Sequence, residues 1–303
     1  MQLFSFPSHT GTGAIHGVNW PVDAPRAVVQ ISHGMQEYIE RYAPLASFLN
    51  AHGYAVIGSD HAGHGHSVQQ DGVYGYFGET NGWRDVVADL HEVHQVAKQT
   101  FPGAPHVILG HSMGSFLARA YTEAYAAELA GAVYVGTSGP VFGTGLGRLL
   151  ASLLPSQKPS PLLAHMAFGA YNKHFAGKTE LDWLSANEQN VADYIADPLC
   201  GLPFTAGGFR ELFSVLSHVN KKAWAQSIPH DLPVLFIAGA DDPVGQYGEG
   251  VRKIAQRLRD AGVKDVYIQL YEGMRHEIFN EAIRELVFQD LLDWLDAHFD
   301  PTV

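Results

Sequence analysis

One pentapeptide, Gly110-His111-Ser112-Met113-Gly114, constrains this chain more than any other stretch. It directly follows the apolar run His106-Val107-Ile108-Leu109 and directly precedes a helical pattern at Phe116, Leu117, Ala120 and Tyr121. As bare letters G-x-S-x-G says little; between a strand and a helix it reads as a nucleophile elbow. The turn is so sharp that the serine takes a strained backbone conformation, and the flanking glycines leave room for the crossing chain. The serine oxygen then stands at the C-terminal edge of a sheet, above the positive end of the following helix. The competing reading is a glycine-rich turn without chemistry.

The remaining periodicity supplies the sheet. Short β-like stretches come first, at 3–6, 14–19 and 27–31. A helix over 38–52 then leads to a strand at 54–58, and a helix over 83–100 leads to the strand at 105–110 that carries the elbow. Further strands follow at 132–135, 234–237 and 266–270, with helices over 248–261 and 281–299. Apolar strands alternating with helices imply an α/β fold, a mainly parallel sheet covered on both faces. The first two strands, with no helix between them, imply an antiparallel edge.

Residues 140–225 break this rhythm and hold no convincing strand. Leu146, Leu149, Leu150, Leu153 and Leu154 follow the spacing of one helix face, and Pro155 stops it. Ser185-Ala186-Asn187-Glu188 reads as a capping box opening a helix through Val191 and Ile195. Phe209, Leu212, Phe213 and Leu216 form another stripe. The simplest organisation is a core in two parts, residues 1–139 and 226–303, with an inserted helical cap, residues 140–225, over the strand ends. The leucine stripe either packs the cap together or also lines an apolar substrate pocket.

A serine hydroxyl is a poor nucleophile at neutral pH; it needs a base, and the base needs an orienting carboxylate. In this topology the acid and the histidine should follow the serine in that order, each on a loop after a strand. Asp241 and Asp242 follow the strand at 234–237, and the G-x-x-D-x-V register favours Asp242, with Asp241 as the competitor. His276 is the histidine, of 17, that lies between the last strand and the last helix. A tetrahedral intermediate also needs two backbone N–H donors. Met113 directly follows the serine, and Met35, in His33-Gly34-Met35-Gln36-Glu37, is the second candidate.

Other chemistry is disfavoured. The loop Asp60-His61-Ala62-Gly63-His64-Gly65-His66-Ser67 invites a metal reading, but it lacks clustered ligands at a defined spacing. Bracing of neighbouring loops suits it better. No nucleotide-binding glycine pattern follows a strand, so no cofactor is expected. The net charge of −12, from 19 basic against 31 acidic residues, argues against nucleic acid. The single cysteine, Cys200, cannot form an internal disulfide. The first residues lack a signal-peptide pattern and no apolar run approaches 18 residues, so a cytoplasmic location is expected.

HGMQEYIERY, SDHAGHGHS, GHSMG, GADDPV and GMRHEIFNE together resemble the monoacylglycerol lipase and lysophospholipase branch of the α/β-hydrolases, a group often labelled serine aminopeptidase-like. The similarity covers about residues 1–138 and 228–303. It implies an α/β-hydrolase fold, Ser112, Asp242 and His276 as the triad, and Met35 and Met113 as oxyanion donors, matching the reading of the residues themselves. One departure is Ala62, where the family usually has arginine, which leaves that arginine's contacts to neighbouring loops without a counterpart. The expected activity is hydrolysis of a carboxylic ester with an apolar acyl chain, through an acyl-enzyme. Monoacylglycerol or lysophospholipid is implied by resemblance alone; transient contact of the cap with a membrane surface is a further expectation. A peptidase or amidase on the same triad and a catalytically silent ligand-binding protein are the rivals.

Overall fold

The structure, a computed structural model, describes residues 1–175 and 177–299. Its strands are β1 (Gln2–Pro7), β2 (Ala14–Trp20), β3 (Val28–Ser32), β4 (Ala55–Ser59), β5 (His106–His111), β6 (Gly131–Val135), β7 (Val234–Gly239) and β8 (Val266–Tyr271). They form one sheet in the order β1-β2-β4-β3-β5-β6-β7-β8. From β4 to β8 every neighbouring pair is parallel, and β1 and β2 form the antiparallel edge. This is the expected α/β architecture.

The helices are α1 (Ala43–Ala51), α2 (Gly82–Thr100), α3 (Met113–Tyr125), α4 (Thr144–Ser152), α5 (Pro161–Phe168), α6 (Glu188–Ala196), α7 (Ala206–Val219), α8 (Lys222–Ser227), α9 (Glu249–Asp260) and α10 (Arg284–Phe299). Successive strand residues point to opposite faces, which fixes two cores. Val107, Leu109, Val133 and Ile237 face α1 and α10. Ile108, Ala132, Tyr134 and Phe236 face α2, α3, α8 and α9. The central strands are buried on both sides, which is why they read as unbroken apolar runs.

Three local expectations shift. The helix expected over 38–52 begins at Ala43, after a single 3-10 turn, Ile39–Tyr42. The Asp60 carboxylate accepts the Ile39 N–H there, at 2.7 Å, and Pro44 sits in the first turn, where its missing N–H costs nothing. The second shift is at the start of α6. Asn187, not Ser185, caps it, its side chain accepting the Gln189 N–H. Ser185 is drawn away because its hydroxyl donates to the buried Glu281 carboxylate, at 2.8 Å.

The third concerns the insertion between β6 and β7, which carries α4 to α8. α8 straddles residue 225, and its Trp224 is buried on the sheet's helical layer, with its indole N–H donating to the Arg119 carbonyl. The stretch therefore ends as cover on the sheet. Arg119, wholly buried on α3, ties both stems: it donates to the Ser138 carbonyl where the chain leaves the sheet and to the Val219 carbonyl where it returns. Among the described residues no helix is long and apolar enough to cross a membrane.

Candidate active site

Ser112 sits between β5 and α3 at φ 53° and ψ −122°, a region that a side chain rarely adopts. Its N–H donates to the Val135 carbonyl and its own carbonyl accepts the Ser115 hydroxyl, which together hold the turn. The two glycines are sterically required. A Cβ on Gly110 would collide with the Gly114 carbonyl, and one on Gly114 would collide with the carbonyls of Ser32 and His33. The strand-to-helix context thus produces the strained serine.

His276 and Asp242 meet on the loops after β8 and β7. The His276 Nδ1 lies 3.0 Å from Asp242 Oδ2, and both side chains are buried. An ionised carboxylate can only accept, so Nδ1 carries the proton and Nε2 is left as the basic nitrogen. The other Asp242 oxygen accepts the Val244 N–H at 2.8 Å, fixing the carboxylate's orientation. Asp241 is exposed and turned to solvent. The structure thus brings Asp242, rather than Asp241, to His276.

Ser112 and His276 border one cavity of about 740 Å³, as do Met35 and Met113. Met113 opens α3, so its N–H belongs to the first-turn donors that have no acceptor within the helix. The loop bearing Met35 lies against the serine: a Cβ on Gly34 would stand 3.2 Å from Ser112 Cβ. The rest of the lining is largely apolar, with Phe116, Phe168, Leu181, Trp183, Phe213 and Leu216. A cavity of this size and lining suits one medium-sized apolar ligand.

The leucine stripe divides. Leu146 lines the cavity although it is 58% exposed, while Leu149 and Leu153, 58% and 75% exposed, do not border it. Leu154 is exposed and Leu150 is half-buried beside the core. The expectation that all five line the pocket is corrected for a steric reason. Small residues, Gly147 and Ala151, form the buried face of α4, and Gly147 sits so close to the Phe213 ring that a Cβ would stand 2.9 Å from it. α4 turns its small side inward and its large apolar side out.

Beside the serine and histidine lies a buried ionic cluster that periodicity did not reveal. Arg41 makes a forked pair with Glu277, both contacts 2.8 Å, and also reaches Glu37 at 2.8 Å. Glu37 in turn accepts from the Gly34 N–H, the Tyr42 hydroxyl and His111 Nδ1. Burial alone would neutralise these groups. It disfavours the charged form of His111, but Glu37 outweighs it and raises the His111 pKa. Burial likewise opposes ionised Glu277, and Arg41 overrides it and lowers its pKa. Trp183, also unforeseen, brings its ring to 5.3 Å from that of His276. Glu37, Arg41 and Glu277 were visible as letters; the pairing of Arg41 with Glu277, more than 200 residues away, was not.

The histidine loop braces, as expected. Asp60 accepts the N–H groups of Ile39 and His66, and the His61 N–H donates to His33 Nε2, at 2.9 Å. Burial lowers the pKa values of His33 and His61 and pushes His64 down to about 3. Ala62 is buried, its carbonyl 3.0 Å from His64 Nδ1, so a methyl occupies the place of the family's arginine.

Comparison with known proteins identifies the family. The family model described as serine aminopeptidase S33, a hydrolase family, matches residues 23–283. The chain belongs to this family. It is similar to a monoacylglycerol lipase of Mycolicibacterium smegmatis, 30% identical over 97% of this chain and 96% of the relative. It is also similar to human monoglyceride lipase, 26% identical over 91% and 84% of the two chains. Among solved structures, a thermostable carboxyl esterase from Bacillus coagulans superposes with a TM-score of 0.93 at 29% identity, covering 98% of each chain. This S33-family chain is therefore an α/β-hydrolase of the monoacylglycerol lipase-like kind, an enzyme class that hydrolyses esters.

Proposed function

We propose that this α/β-hydrolase cleaves carboxylic esters with an apolar acyl chain, monoacylglycerol or lysophospholipid, through a Ser112–His276–Asp242 triad. His276 Nε2 takes the Ser112 proton as Oγ attacks the ester carbonyl. The N–H groups of Met35 and Met113 hold the oxyanion. Collapse expels the alcohol, protonated by His276, and leaves the acyl group on Ser112. A water that gives its proton to His276 then attacks the acyl carbon, and the acid departs as Ser112 regains its proton. Asp242 keeps Nδ1–H in place throughout. The observation that carries this reading is a strained serine bordering the same apolar cavity as a carboxylate-oriented histidine.

Ester rather than peptide chemistry is supported by the lipase and esterase relatives. An aminopeptidase needs a carboxylate for the substrate amine; Glu37 and Glu277 are already matched to His111 and Arg41, which leaves the exposed Glu180 as the lining carboxylate such an amine would have to use. Val141, Phe142, Leu146 and Met166 border the cavity and are also exposed, which supports transient contact with an uncharged lipid surface. The test is fluorophosphonate labelling together with hydrolysis of nitrophenyl esters of graded chain length and of an aminoacyl anilide. Ser112 is expected to be labelled, and Ser112→Ala and His276→Ala each to abolish most turnover, with the double variant little worse because triad members act as a unit. Asp242→Asn should cost roughly three to four orders of magnitude in kcat, and Asp241→Asn far less. Multiplying losses in the double variant, or faster anilide than ester cleavage, would overturn the reading.

A further inference from the structure

Gln36, next to the proposed oxyanion donor Met35, holds φ at 60°, the left-handed region that favours glycine. A glutamine stays there only if its surroundings fix it, and every hydrogen bond that does so comes from the insertion. Its carbonyl accepts the Tyr194 hydroxyl at 2.9 Å and the Gly201 N–H at 3.0 Å. Its side-chain amide donates to the Leu202 carbonyl at 2.5 Å. The next residue, Glu37, is gripped from the other side by Arg41, Tyr42 and His111. One residue further on, the Tyr38 hydroxyl donates to Asp197, also on the insertion.

We infer that Tyr194, acting with the 201–202 backbone, is a positioning residue that clamps Gln36 in its left-handed conformation and so aims the Met35 N–H at the oxyanion. The inference rests on the triad reading proposed above. The peptide between Gly34 and Met35 is held on its Gly34 side, where the Gly34 carbonyl accepts from His33 Nδ1 at 2.8 Å and the Gly34 N–H donates to Glu37. On the other side a relaxed Gln36 would swing towards right-handed or extended backbone and take the Met35 amide with it. The insertion therefore completes the oxyanion hole from above. The proposed hole has one rigid donor, at the start of α3, and one whose direction depends on the cap.

The test is a double-mutant cycle that pairs Tyr194→Phe with Gln36→Gly. Tyr194→Phe keeps the buried ring and deletes only the hydroxyl. Gln36→Gly makes the left-handed conformation free of side-chain strain. With p-nitrophenyl butyrate, Tyr194→Phe should lower kcat by about tenfold, a fraction of the loss on deleting an oxyanion donor, with KM changed by less than about twofold. In the Gln36→Gly background the same change should lower kcat by about threefold or less. Melting curves on all variants report folding. Equal losses of kcat in both backgrounds would overturn the clamp, as would a loss confined to KM, which would make Tyr194 a substrate contact. Ser112→Ala measured alongside separates the two readings. If it stays active, the triad falls and the clamp with it; if it is dead and the cycle shows no coupling, only the clamp falls.

Discussion

The insertion has two halves built on opposite principles. Residues 181–205, with α6, are bolted to the sheet by buried polar bonds. Glu281 accepts from the Ser185 hydroxyl and from the N–H groups of Ala186, Asn187 and Arg275. Glu277, besides its pair with Arg41, accepts the Asn190 amide, and the Glu277 N–H donates to the Leu184 carbonyl. In α4 and α5, among the described residues, the side-chain hydrogen bonds stay local: Ser152 to the Arg148 carbonyl, and Ser160 from the Leu163 N–H. These two helices hold on by shape, although the link between them is tied by Ser156 to Glu79 and by a bridge of Pro159 with Thr205, and the region shows solvent Phe142, Leu149, Leu153 and Leu162. A buried hydrogen bond fixes direction; an apolar contact only fixes proximity. The bolted half can therefore be part of the site's precision, and the apolar half can move or meet lipid without disturbing it.

Removing a bolt should be the most costly change. Glu277→Ala strips the nearly buried Arg41 of its forked partner and leaves Glu37 as its acidic partner, with the Tyr194 ring beside it. An expected loss of about 3 kcal/mol, the low end for a broken buried pair, is readable by urea unfolding. Leu149→Gln, on the exposed face, should stay within about 0.5 kcal/mol. Equal losses would erase the distinction between the halves.

Acid should weaken the bolted half selectively. Burial holds His33 and His61 below their ordinary pKa and His64 at about 3, so each stays neutral in the fold while the unfolded chain takes a proton. Their contribution is intact above about pH 6.5 and erodes as pH falls below it. Glu277, whose pKa is lowered, adds stability that is present above the ordinary carboxylate range and is lost as pH falls through its folded value. His111, raised by Glu37, behaves inversely: its contribution is full below about 6.5 and fades as pH rises through its folded pKa. Hydrogen exchange, corrected for intrinsic rates, should speed up at amides 188–202 between pH 6.5 and 4 and change little over 144–152. A uniform response would place the titrating groups elsewhere.

The sheet and the elbow were legible because their signals are local: strand periodicity, G-x-S-x-G, and loops in the order serine, aspartate, histidine. Asp242 could be favoured over Asp241 from register because the turn is short. The insertion was legible as helices but not as surfaces. The leucines of α4 obey helical periodicity, yet that pattern carries no sign for inside and outside. The sign was set by Gly147 against Phe213, a contact between residues far apart in the chain. Ser185 misled for a similar reason, since its hydroxyl serves Glu281 rather than the helix it precedes. Long-range polar pairing is what a single sequence hides.

The smallest expected effect is also the most discriminating for the apolar half. Leu146 lines the cavity, and Leu149 and Leu153 face outward. If acyl chains run along the Leu146 wall, each methylene buried there adds up to about 0.8 kcal/mol, so specificity should climb with chain length and then level off. Leu146→Asp should penalise long dispersed esters far more than acetyl esters, because a carboxylate is costly only where it replaces an apolar contact. Leu149→Asp and Leu153→Asp should leave all dispersed esters nearly unaffected, whatever their length. The same two changes should slow hydrolysis only when the ester is presented in micelles or droplets, where an outward apolar face gains something to bury against. Should Leu149→Asp cut long dispersed esters as Leu146→Asp does, the outward face of α4 is part of the pocket and the two halves of the insertion share one job.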